Sequence, residues 1–212
     1  VIYFPGSAST WMGSSAELEQ YYEFSMFLSY LVRNGRAVLY PVYQGTFERS
    51  SPTLAALHGG DESYAYAEFV TQVVKDFERS VDYLLTRDDI DPDGLAYYGM
   101  SWGAVLGPIV TAVEERVRAS ILLAGGLDVA GRPEVRQVTF APRVRVPTLI
   151  LNGRYDTFFP PETSSRPLLE LLGAPEADKR LVLYDTDHIP PRTEYIRETL
   201  AWLDRYLGPV GR

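Results

Sequence analysis

Apolar and polar positions fall into two kinds of block along this chain. Short, nearly continuous apolar runs occupy 1–4, 37–43, 95–98, 119–124, 146–151 and 181–184. Runs of that length without alternation read as strands buried on both faces, as in a parallel sheet. Segments between them carry a helical period instead. Leu18, Tyr21, Tyr22, Leu28 and Leu31 follow a sequence of capping-box form, Ser14-Ser15-Ala16-Glu17, and stop at Asn34-Gly35. Phe69, Val73, Phe77, Val81 and Leu84 mark one face of a long helix over 64–87. Further helices are expected at 102–115, 161–172 and 193–207. Strands alternating with helices predict an α/β fold: a mostly parallel sheet of about six strands with helices on both faces, in a single domain over 1–212. Two connections break the pattern. Residues 44–63 read as a long loop rich in Gly, Ser and Pro, of the kind that often carries function. Residues 125–145 have no strong period and are too few for a lid domain.

Composition narrows the function classes. The net charge is -8, with 28 acidic against 20 basic residues and no basic run, which argues against nucleic-acid binding. It favours neutral or cationic small molecules over polyanions. No apolar run reaches the ~18 residues of a membrane span, so no membrane association is expected. With no cysteine there is no disulfide, thiolate metal site or cysteine nucleophile. The 15 tyrosines exceed what a core needs and suit a lined pocket. Asp89, Asp91, Asp93 and Gly94 match the start of a calcium loop, but Pro92 interrupts it and its twelfth position is Met100, so an acidic turn is expected there. The chain opens on Val1-Ile2-Tyr3-Phe4 without a leader, which reads as a piece of a longer chain and gives a cytoplasmic expectation.

The candidate chemistry centres on Gly99-Met100-Ser101-Trp102-Gly103. This G-x-S-x-G between an apolar strand and a helix is the nucleophile-elbow pattern of the α/β-hydrolases. A serine hydroxyl is a poor nucleophile unless a base and an oxyanion hole meet it. Of the two histidines, His188 follows the last strand, where ligands bind in parallel sheets, whereas His58 precedes the serine in the long loop. His188 is the expected base. Asp156, after the 146–151 strand, is the expected acid, with Asp128, Asp185 and Asp187 as competitors. The expected oxyanion donors are the N–H groups of Trp102 and of Ser7, with Ala8 as second choice for the latter.

Taken together, Phe4-Pro5-Gly6, the elbow, Asn152-Gly153-Arg154-Tyr155-Asp156 and Asp187-His188 resemble the dienelactone-hydrolase and prolyl-oligopeptidase-like branch of the α/β-hydrolase superfamily. They are also similar to hydrolase domains attached to bacterial protein kinases. The resemblance implies an α/β-hydrolase fold that lacks the family's first two strands, leaving a sheet edge near 37–43 or the first strand that would favour a homodimer. It departs from the family in having Pro5-Gly6 where His-Gly is usual. It implies a serine carboxylesterase acting on short-chain esters, with no cofactor and no metal. Trp11, Tyr43, Phe47, Phe158 and Phe159 are expected to line its substrate pocket, with Trp102. The same three residues serve peptidases, thioesterases and acyltransferases. A regulatory hydrolase-like domain without activity is the alternative of a different class.

Overall fold

The computed structural model describes residues 1–57 and 59–210. Strands β1 (Ile2–Phe4), β2 (Ala96–Met100), β3 (Ala119–Leu123), β4 (Thr148–Gly153) and β5 (Lys179–Tyr184) form one sheet in that order, five strands among the described residues. Every pair is parallel; Tyr3 stands beside Tyr98, Tyr98 beside Ile121 and Ile121 beside Leu149. The first four strands are buried along their whole length, which is why they read as unbroken apolar runs.

Alternate side chains serve two cores. Ile2, Phe4, Tyr97, Leu122 and Ile150 point to one face. They pack there under α3 (Tyr64–Leu84) and α4 (Trp102–Val113). Tyr3, Tyr98, Ile121, Leu123, Leu149 and Leu151 point to the other. That side is covered by Phe27, Leu28 and Leu31 and by Tyr195, Trp202 and Leu203 of the last helix (Arg192–Leu207). The long helix α3 buries the predicted face, Phe69, Val73, Phe77, Val81 and Leu84, and Ser63 caps it by accepting from the Tyr66 N–H.

The sixth expected strand, 37–43, does not form. It makes one parallel bridge, Ile2 to Leu39, with the Leu39 N–H donating to the Val1 carbonyl and the Tyr3 N–H to that of Leu39. The next two rungs would use the N–H groups of residues 41 and 5, and both are prolines. Neither can donate, so the ladder stops. The Tyr3 carbonyl left over accepts from the Tyr43 hydroxyl at 3.0 Å instead.

Two other stretches differ from the sequence reading. The region 14–34 is not one capped helix. It contains a short 3₁₀ turn (Leu18–Gln20), a wide π turn (Phe24–Leu28) and α1 (Ser29–Arg33). The capping box does not form: Ser14 accepts from the Ala16 N–H instead of that of Glu17, and the neighbouring Ser15 gives its N–H and hydroxyl to Glu48, at 2.6 and 3.1 Å. The long loop contains a helix of its own, α2 (Pro52–Leu57), started by a proline at its first position. The acidic stretch 88–94 is a turn: Asp89 pairs with Arg87, Asp93 with Arg118, and Asp91 accepts the Asp93 N–H.

Candidate active site

Ser101 sits between β2 and α4 with φ 50° and ψ −108°, a conformation that side-chain-bearing residues rarely adopt. The turn closes because its flanking residues have no β-carbon. A Cβ at Gly99 would stand 2.4 Å from the Gly103 carbonyl oxygen, and one at Gly103 would stand 2.3 Å from that of Phe4. The Ser101 N–H donates to Leu123 at 2.8 Å and the Gly103 N–H to the Pro5 carbonyl at 3.0 Å. The elbow is thereby tied to β3 on one side and to the loop after β1 on the other.

The loops after β4 and β5 bring an acid and a base to the same sheet end. Their backbones are stitched by the Arg154 N–H to Tyr184 (2.7 Å) and the Tyr155 N–H to Thr186 (3.0 Å). They touch so closely that a Cβ on Gly153 would fall 1.6 Å from the Asp187 carbonyl oxygen. From this pair of loops His188 Nε2 lies 3.0 Å from Ser101 Oγ, and His188 Nδ1 lies 2.9 Å from Asp156 Oδ2. A carboxylate only accepts, so the proton sits on Nδ1 and leaves the Nε2 lone pair facing the serine hydroxyl.

The Asp156 side chain is fully buried. Desolvation pushes its carboxyl up, but bonds from His188 and from the Phe159 and Phe158 N–H groups outweigh this and hold it below the usual carboxylate range. The competing acids are engaged elsewhere. The Asp128 carboxylate accepts the Ala130 N–H, and the exposed Asp185 pairs with Arg154 at 2.8 Å. Asp187 is exposed. His58 lies outside the described residues.

Of the expected oxyanion donors, Trp102 opens α4 directly after the serine, and Ser7 opens a 3₁₀ turn (Ser7–Thr10) directly after β1 and Pro5-Gly6. The Gly103–Pro5 hydrogen bond sets these two segments side by side. The pocket residues divide. Phe158 and Phe159 have ring centres 5.0 and 6.0 Å from that of His188, and Phe158 is 73% exposed. Trp11 is 69% exposed beyond the 3₁₀ turn. Tyr43 is not a pocket wall, and Phe47, 2% exposed, borders a cleft lined by Met12, Leu18 and Tyr21 rather than by Ser101 or His188. Tyr43 is fully buried, stacked on Phe4 at 4.1 Å, and Phe47 packs edge-on against Tyr21 and Tyr40. The failed strand explains both: the segment peels off β1 after Leu39 and turns its aromatics into the core. The Trp102 ring is buried too, against Phe4 and Phe69.

One residue was missed from the sequence. Glu23 is fully buried behind the Pro5-Gly6 turn and accepts from four donors: Gly6 N–H, Tyr3, Tyr22 and Tyr40. Its signal was an acid in phase with Phe27, Tyr30 and Leu31 on a buried face. Burial pushes its carboxyl up from 4.5 to about 7, against the pull of those hydrogen bonds. A raised acid pKa weakens the folded state as pH rises, because the unfolded chain ionises first. The wild type should therefore lose about 3 kcal/mol relative to Glu23→Gln between pH 4.5 and 7, and nothing further above that. Urea unfolding of both proteins at pH 4.5, 6 and 8 checks this. A constant difference across that range would count against it.

The family model for the dienelactone hydrolase family matches residues 25–188, which span the elbow, Asp156 and His188. The chain belongs to the dienelactone hydrolase family. Among curated proteins none matches the sequence. Solved structures of the same fold include a cold-adapted esterase from an Arctic intertidal metagenomic library, at 20% identity and a TM-score of 0.71, covering 97% of this chain and 82% of that one. An acetyl xylan esterase from Paenibacillus sp. R4 has 20% identity and a TM-score of 0.67, over 97% and 74% of the two chains. A 2,6-dihydroxy-pseudo-oxynicotine hydrolase has 18% identity and a TM-score of 0.66, over 100% and 63%. At these identities the likeness is one of fold. Within this dienelactone hydrolase family member, no group of three or more His, Asp or Glu among the described residues stands close enough to hold a metal ion. No helix among them is long and apolar enough to cross a membrane.

Proposed function

We propose that this protein is a serine carboxylesterase that works through an acyl-enzyme. The observation that carries the reading is the continuous line Ser101 Oγ, His188 Nε2, His188 Nδ1, Asp156 Oδ2, with links of 3.0 and 2.9 Å. The serine oxygen attacks the ester carbonyl carbon as its proton passes to His188 Nε2. Asp156 stabilises the imidazolium that results. The carbonyl oxygen, now negative, is held by the Trp102 and Ser7 N–H groups. Collapse expels the alcohol, which takes the proton from His188. Water then repeats the sequence on the acyl-serine and releases the acid. Membership of a hydrolase family supports the reading, and the esterase names of the structural neighbours accord with it.

The ester should be short on the acyl side. Of the connections that would cover a long chain, 125–145 is occupied by short turns and α5 (Gln137–Phe140), with charged Arg132, Glu134 and Arg136. Arg136 pairs with Glu62, which leaves the outer surface polar. Each buried methylene contributes about 0.8 kcal/mol, so gains end where the acyl chain meets solvent. Exposed Trp11 and Phe158 offer an apolar rim to a bulky alcohol part. The expected result with p-nitrophenyl esters is a kcat/KM that is highest between acetate and hexanoate and flat or falling beyond. A kcat/KM for the palmitate above that for the butyrate, both below micelle formation, would overturn the short-chain assignment.

A further inference from the structure

The buried Glu23 touches neither Ser101 nor His188, yet it stands directly behind the loop expected to supply half of the oxyanion hole. Its Oε1 accepts the Gly6 N–H at 3.1 Å, and its Oε2 accepts the Tyr3 hydroxyl at 3.0 Å and that of Tyr40 at 3.3 Å. The Tyr22 hydroxyl completes the shell at 3.3 Å from Oε1. Gly6 is wedged between this carboxylate and the residue before the nucleophile: a Cβ there would meet Met100 Sδ at 2.8 Å and Glu23 Oε1 at 2.9 Å.

The remaining groups of the loop are committed as well. The Pro5 carbonyl accepts from the Gly103 N–H, and the Gly6 carbonyl accepts from the Ser9 N–H (3.2 Å) and hydroxyl (2.8 Å). Proline at position 5 has no N–H to offer. With the Gly6 N–H taken by Glu23, the next donor along the chain is the Ser7 N–H, for which the described residues supply no acceptor. A side chain that only filled space here would be apolar, since burying a carboxyl costs several kcal/mol unless its hydrogen bonds repay it. An acid held by three tyrosines and one backbone N–H is an anchor of fixed length.

We propose, resting on the esterase reading above, that Glu23 is a positioning residue for the oxyanion hole: by holding the Gly6 N–H it turns the following peptide so that the Ser7 N–H faces the carbonyl oxygen of the ester. What matters is then the reach of the acceptor rather than its charge. Glutamine keeps the reach and loses the charge. Aspartate keeps the charge and falls short by about 1.5 Å, one carbon–carbon bond.

The experiment compares wild type, Glu23→Gln and Glu23→Asp at pH 8, with rates expressed per Ser101 titrated to completion by a fluorophosphonate. Hydrolysis of p-nitrophenyl acetate reports kcat and KM. Inhibition by a methyl trifluoromethyl ketone reports the oxyanion hole, because its serine adduct carries the same negative oxygen. Glu23→Gln should lose no more than about threefold in kcat. Glu23→Asp should lose about 10- to 100-fold, less than deleting a donor outright, with KM changed by less than about threefold. Its ketone inhibition constant should rise by a matching factor. Equal losses in the two variants, the reverse order, or a kcat loss without the ketone effect would overturn the proposal. Should Glu23→Asp not fold, Glu23→Ser, which also lacks the reach, is read by the same criteria. Wild type that neither hydrolyses the ester nor takes up fluorophosphonate on Ser101 would overturn the esterase reading itself, and this proposal with it.

Discussion

Ser101→Ala should reduce ester hydrolysis by about 10⁶ in kcat, the scale on which a nucleophile and its base fail together. The geometry explains why the loss should be so complete. Only Ser101 Oγ lies within hydrogen-bond reach of His188 Nε2, at 3.0 Å, so the imidazole has no other hydroxyl to activate among the described residues. What remains should be the contribution of the oxyanion donors and of binding, which can still speed the reaction over water by ~10³–10⁴. The fold should survive. Alanine brings the same β-carbon to the φ of 50° that serine already tolerates, and the backbone bond from residue 101 to Leu123 is untouched. Melting temperature and circular dichroism should therefore match wild type while fluorophosphonate labelling disappears. Labelling that persists in Ser101→Ala would place the nucleophile elsewhere.

The parts of this site that could be read from the sequence are those fixed by local sterics. Gly99 and Gly103 are required where a Cβ would strike backbone at 2.4 and 2.3 Å, so the elbow announces itself in five residues. The strands were legible because burial on both faces leaves an unbroken apolar run, and α3 because its face repeats with the helical period. The failures have a common cause in partners distant along the chain. The 37–43 run looks like a strand by itself, and only its pairing against β1 reveals that the next two rungs fall to Pro41 and Pro5, which have no N–H to donate. Ser14 to Glu17 looks like a helix start, but Ser15 within it turns to Glu48, 33 residues away. Tyr43 stood at the end of the expected 37–43 strand and Phe47 in the loop after it, and once the strand failed their rings became core. Glu23 was missed because its partners Tyr3, Gly6 and Tyr40 come from two other segments, β1 with its following turn and 37–43. A sequence records local geometry directly, but it records such convergence only as one acid in phase with an apolar stripe.

Asp156→Asn should lower kcat by about 10⁴ while leaving the protein folded. The two oxygens of Asp156 do separate tasks. Oδ1 accepts the N–H groups of Phe158 and Phe159 at 2.8 and 3.1 Å and so shapes its own loop, and Oδ2 accepts from His188 Nδ1 at 2.9 Å. Asparagine has one acceptor and one donor end. The backbone N–H groups demand the acceptor, which leaves the amide NH₂ facing His188. Nδ1 must then accept, so the imidazole proton moves to Nε2 and points at Ser101 Oγ. In that tautomer the histidine has no lone pair to receive the serine proton, although every heavy atom stays in place. Unfolding midpoints should consequently shift little compared with the loss of rate, and a crystal structure of the variant should superpose on the wild type around residues 153–159. Asp128→Asn is the control. Among the described residues its carboxylate accepts only the Ala130 N–H of its own turn, and the amide oxygen of asparagine can do the same, so kcat should stay within about twofold of wild type. A loss of orders of magnitude in Asp128→Asn, with Asp156→Asn near wild type, would transfer the role of the acid to the loop after β3.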